Sequence, residues 1–67
     1  MKVKIKELMD NLGIGTIPEL YDYLNTRGAG VSQRTLYKWL QGEPFQSEKL
    51  AQVAKAAKVS GTWLIEE

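Results

Sequence analysis

The chain has 67 residues, 43% of them hydrophobic, with 9 Lys and Arg against 8 Asp and Glu, no histidine and no cysteine. This is the composition of a folded chain, and it excludes disulfides, thiolate metal sites and chemistry that turns on an imidazole or a thiol. No apolar run approaches the roughly 18 residues of a membrane span and no signal-peptide pattern opens the chain, so the expectation is one small cytoplasmic domain covering residues 1–67.

A domain of about 60 residues buries only about 60% of its unfolded surface. With no covalent staple, its core must come from close helix packing.

Ile5, Leu8, Met9 and Leu12 recur at helical spacing, and Gly13 suits a left-handed stop. They predict a first helix over about residues 3 to 12, with KVKIK too short for a strand and merging into it. Thr16-Ile17-Pro18-Glu19 matches a capping box, with Pro18 in the first turn, where no helical amide partner is lost. A second helix then runs to about Thr26, burying Ile17, Leu20, Tyr21 and Leu24. Asn25 to Gly30 is turn chemistry, with two glycines free to take positive φ.

Ser32 is a cap for a third helix from Gln33 to about Gln41, ended by Gly42-Glu43-Pro44. Ser47 is the expected cap of a fourth helix, with Leu50, Val53, Ala54 and Ala57 inward. Ser60 is the expected cap of a last short helix holding Trp63, Leu64 and Ile65. The fold class expected is all-α: a compact bundle of about five short helices with short connections.

The charge distribution is uneven. Leu24 to Gln41 contains Arg27, Arg34 and Lys38 and no acidic residue, and Lys2, Lys4 and Lys6 form a second basic group, either an arm toward a polyanion or a solvated helix start. On a helical wheel at about 100° per residue, Gln33, Tyr37, Gln41, Arg34 and Lys38 share one arc of the third helix. Trp39, Leu36 and Leu40 share the opposite, packing arc.

Long donors at a helix start suit the edges of bases in a major groove: Gln can pair bidentately with adenine and Arg with guanine. Ser32, Thr35 and Gln41 carry groups suited to phosphate oxygens. The same arc is also what an ordinary solvated face looks like, and Tyr37 with Trp39 and the basic residues would equally suit a protein partner.

GVSQRTLYKWLQGE resembles the second half of a phage-repressor helix-turn-helix: a small residue, a Val, a capping Ser, then a helix with Leu and Trp spaced three apart. SEKLAQVAKAAKVSGTWLIEE is similar to the next segment of that family, and LMDNLGIGTIPELYDYL to its opening helices. The order and spacing of these segments cover nearly the whole chain and are closest to the DNA-binding domain of bacteriophage CI-type repressors.

The resemblance implies the phage-repressor fold and roles by position. Gln33, Arg34 and Lys38 fall where the family presents base-contacting side chains. Ser32, Thr35 and Gln41 fall where the family tends to touch the DNA backbone, and Tyr37, on the same arc, is expected to contact the backbone with them. Leu20, Leu24, Leu36, Leu40, Leu50, Val53, Ala54, Trp63 and Leu64 fall at core positions. It also implies a repressor of the bacterial host cytoplasm that occupies a two-fold operator in double-stranded DNA and blocks polymerase. The chain would be the N-terminal part of a longer protein that forms a homodimer or higher oligomer through a further C-terminal domain.

Three positions depart from the pattern. Ile17 stands where the family often has a phosphate-touching Gln, Tyr21 stands where it usually has a small residue, and NTRGAGVS is a longer turn than usual. The long turn brings Arg27 and glycine amides to a place where they are expected to lie against a phosphate.

The alternatives are a complete small regulator or antitoxin-like DNA binder, and a helical protein-interaction module using Tyr37, Trp39 and the basic arc. An enzyme is not expected. The serines sit at predicted caps, Glu19 belongs to the capping box, and no Gly-rich phosphate loop is present. No cofactor or metal is implied.

Overall fold

The computed structural model describes residues 2–66. In chain order these form β1 (Lys2–Val3), α1 (Ile5–Leu12), α2 (Ile17–Thr26), α3 (Gln33–Leu40), α4 (Ser47–Ala57), α5 (Gly61–Leu64) and β2 (Ile65–Glu66). The five helices wrap one core built from Val3, Ile5, Leu8, Ile17, Leu20, Leu24, Leu36, Trp39, Val53 and Leu64, among others. No helix of the described residues is long and apolar enough to cross a membrane.

Helix ends follow local chemistry. Gly13 takes φ 72°, and the Ile14 amide closes onto the Met9 carbonyl at 2.8 Å, which stops α1. Thr16 caps α2 by accepting the Glu19 amide at 3.4 Å. Only half of the capping box forms, because the Glu19 carboxylate meets the Thr16 hydroxyl, at 3.2 Å, rather than the Thr16 amide. Ser60 accepts the Trp63 amide at 3.1 Å and starts α5.

Several expectations fail. Residues 2 and 3 belong to a strand and α1 begins at Ile5, because Lys2 and Val3 pair antiparallel with Glu66 and Ile65. Ile65 therefore lies in β2 and not in α5. The ribbon buries Val3 and ties both ends of the described chain together, helped by a 2.6 Å bond from the Lys4 amide to the Leu64 carbonyl. Ser47 does not cap α4. The extended residue before that helix is Gln46, so the Ser47 hydroxyl already lies inside the first turn and no side chain caps it.

Trp63 is not core: it is 37% exposed, with the Lys4 ammonium 4.8 Å from its ring centroid. Leu64, the next residue and about 100° further round a one-turn helix, fills the core instead. Leu40 is 45% exposed. The buried arc of α3 is centred between Leu36 and Trp39, which leaves Leu40 at its edge beside the N-terminal strand. Tyr21 is half-buried.

The connection from α2 to α3 is pinned at both ends. Asn25 donates to the carbonyls of Tyr21 and Val31, at 3.1 and 3.2 Å, and Ala29 and Val31 insert into the core. Gly28 takes φ 92°, as a tight turn requires, but Gly30 does not have positive φ.

Candidate nucleic-acid interface

The site begins with the seat of α3. Ser32 is extended, and its hydroxyl accepts the Thr35 amide at 3.2 Å, so the helix starts at Gln33. Leu36 and Trp39 are buried, one turn apart, against α1, α2 and the core. That anchoring fixes the rotation of the helix and turns Gln33, Arg34, Tyr37, Lys38 and Gln41 to solvent.

Tyr37 is 46% exposed and, by helical phase, lies on the same arc as the long polar side chains. Among the described residues no carboxylate lies within ion-pairing distance of Arg34 or Lys38, so both cations are available to an external anion. The hydroxyls of Ser32 and Thr35 lie 3.1 Å apart and bond each other, and Thr35 is half-buried. An eight-residue helix is about 12 Å long and, with side chains, about 10–12 Å across, which matches a major groove about 12 Å wide.

A small groove of about 270 Å³ flanks this helix, lined by Thr35, Lys38, Trp39, Phe45, Gln46 and Lys49. Lys49 comes from α4 and was not singled out by its sequence context. Its ammonium donates to the Gly30 carbonyl at 3.1 Å, while Gln52 accepts the Gly30 amide at 3.0 Å. The amide and the carbonyl of Gly30 are thus both held by side chains of α4.

Arg27 is placed elsewhere. Its guanidinium stacks 3.6 Å from the Tyr23 ring centroid and donates to the Tyr23 carbonyl at 3.2 Å. It faces a separate cleft shared with Lys55 and Lys58 of the α4 end. The glycine amides expected to meet a phosphate are occupied: Gly28 donates to Asn25 and Gly30 to Gln52. Trp39, assigned to the protein-binding alternative, is 2% exposed and cannot form a patch.

The N-terminal basic group is divided. Lys2 pairs with Glu66 at 3.2 Å, Lys4 covers Trp63, and Lys6 is exposed on α1, so residues 2 and 3 form a paired strand rather than an arm. Lys49, Lys55 and Lys58 have one signal in the sequence: no acidic residue occurs between Glu48 and Glu66. Among the described residues no cluster of carboxylates could hold a metal ion. No family model, curated protein or solved structure matches the chain.

Proposed function

We propose that this chain is a sequence-specific double-stranded DNA-binding domain of the phage-repressor type, with α3 entering the major groove and α2 bracing across the backbone. One observation carries the reading: α3 turns Gln33, Arg34, Tyr37, Lys38 and Gln41 outward together, with no carboxylate paired to its cations among the described residues. Gln33 and Arg34, in the first turn, are the base-reading residues, with Lys38 one turn further on. Gln41 and Tyr37 border the phosphates, and Ser32 and Thr35 order the helix start.

A single module of this size binds weakly, and a second copy on a two-fold operator adds affinity. The longest extent of the molecule is 27 Å, shorter than the roughly 34 Å between half-sites one helical turn apart. That extent is compatible with two copies side by side on one face of a duplex. Repression would follow from occupancy of a site that polymerase needs.

Selection from a pool of random duplexes tests this reading. The expected result is enrichment of one short motif, contacted through the first turn of α3. A pool that stays random through repeated rounds would refute sequence reading.

A second reading is favoured by the exposure of Leu40 and Tyr37, both on α3. An apolar pair with nearby cations suits an acidic protein surface. In that case duplex binding would be weak and indifferent to sequence.

A further inference from the structure

The cleft on the far side of the α2–α3 turn has no role in the reading above. It measures about 910 Å³ and is lined by Arg27, Gly28, Gly30, Gln52, Lys55, Ala56 and Lys58. Three cations line it and no carboxylate does. Among the described residues the one ion pair is Lys2 with Glu66, so Arg27, Lys55 and Lys58 have no partner at ion-pairing distance there.

The cations are not needed to finish the helix. The Lys58 and Val59 amides already close onto the Lys55 and Ala54 carbonyls, at 3.3 and 3.0 Å. Arg27 is oriented in advance by the Tyr23 ring and carbonyl, with most of its five N–H donors unused.

Lys58 adds an independent observation. It has φ 59°, and among the described residues it is the non-glycine residue held in the left-handed region. Glycine is the residue that fits such a helix end without strain, whereas a side chain with a Cβ is disfavoured there. A lysine in that position keeps an ammonium group at the cleft despite local strain, the kind of outlier that collects at binding sites.

The cleft also adjoins the candidate interface. Lys49 lines the groove beside Lys38 and Thr35, and its ammonium holds the carbonyl of Gly30, which lines the cleft. The two cationic surfaces meet at that bond.

We propose that the Arg27–Lys55–Lys58 cleft binds phosphate groups, and that these belong to the backbone of the same duplex that α3 reads. This rests on the DNA-binding reading and widens its footprint. The continuity through Lys49 favours one long polyanion over a small phosphorylated ligand, because a single strand can follow both surfaces. Contacts of this kind add affinity and salt dependence but no sequence preference.

The test is binding of a fluorescent duplex across a salt series by the wild type, the Lys55→Gln/Lys58→Gly double variant and Arg34→Ala, with NMR amide shifts on the same duplex. Lys58→Gly relieves the positive φ, so the melting temperature of the double variant should hold or rise. Its affinity should fall roughly ten- to sixtyfold at 0.1 M salt, and its log–log salt slope should shrink by about 2, with sequence preference kept.

An unchanged slope and affinity, with Arg34→Ala still impaired, would overturn the cleft and leave the DNA reading standing. Absence of salt-dependent binding by the wild type would overturn both. Cleft amides that respond to inorganic phosphate as fully as to the duplex would assign the cleft to a free phosphate ligand, against the backbone.

Discussion

Leu36 and Leu40 are the same residue type one turn apart on α3, yet the structure gives them opposite roles. Leu36 is 0% exposed and holds the helix to the core, whereas Leu40 is 45% exposed. Leu36→Ala removes buried methyl groups and leaves a cavity, at a cost of about 2–5 kcal/mol. Leu40→Ala loses part of one side chain's contact, about 1 kcal/mol or less. Because the substitution is identical and both sites are helical, the difference in helix propensity cancels between them.

A chain of this length has a total stability on the order of 3–10 kcal/mol, and each kcal/mol moves the melting temperature by about 4–8 °C. Leu36→Ala should therefore melt at least about 8 °C lower or fail to fold, and Leu40→Ala should stay within about 8 °C of wild type. Thermal unfolding followed by circular dichroism reads both. Equal losses would mean that the buried arc of α3 is rotated from the one described, and the outward side chains would have to be reassigned with it.

Other substitutions probe the site and its supports. Ser32→Ala removes the hydroxyl that takes the Thr35 amide and should cost about 1 kcal/mol, while Ser32→Asp should keep the cap yet weaken duplex binding through like-charge repulsion; a gain in DNA affinity from Asp would contradict a phosphate beside this helix start. Gln52→Ala frees the Gly30 amide, so its hydrogen exchange should accelerate while Gln52→Glu preserves protection; equal exchange in all three proteins would mean that α4 does not hold the turn. Arg34→Ala should cost about 1–3 kcal/mol on a selected site and relax its preference at one position, whereas equal loss on every duplex would make Arg34 a phosphate contact.

Helices α1, α2, α3 and α5 are legible because their end signals are local, Ser60 capping α5 as expected, and α4 is legible from its apolar spacing, although Ser47 does not cap it. Gly13 stops α1, Thr16 and Ser32 start α2 and α3, and Gly42 takes φ 85° just past α3. The ribbon was not legible, because Lys2–Val3 becomes a strand only when Ile65–Glu66 arrives from the far end of the chain. Trp63 shows the limit of reading hydrophobicity as burial: in a one-turn helix, Leu64 suffices for the core and the larger neighbour lies at the surface under the Lys4 ammonium.

The candidate site divides in the same way. The outward arc of α3 follows from helical phase and one buried Leu–Trp pair, both visible in residues 33–41. Leu40 was misplaced because a wheel assigns an arc but not its centre. The surroundings of Arg27 are not legible in the sequence, because the path of the six-residue connection, drawn inward by Ala29 and Val31, is a tertiary property. Lys49, Lys55 and Lys58 gain meaning only when α4 is laid against that turn.

The proposed function requires that the outward face of α3 meet DNA. An NMR titration of amide shifts with a mixed-sequence duplex, at low and at moderate salt, tests it most directly. Shifts should concentrate in residues 33–41, extend to residues 27–30 and 52–58, and weaken steeply as salt rises. Silence along α3 at low salt would contradict it and leave Tyr37 and Leu40 as the mark of a protein-binding face.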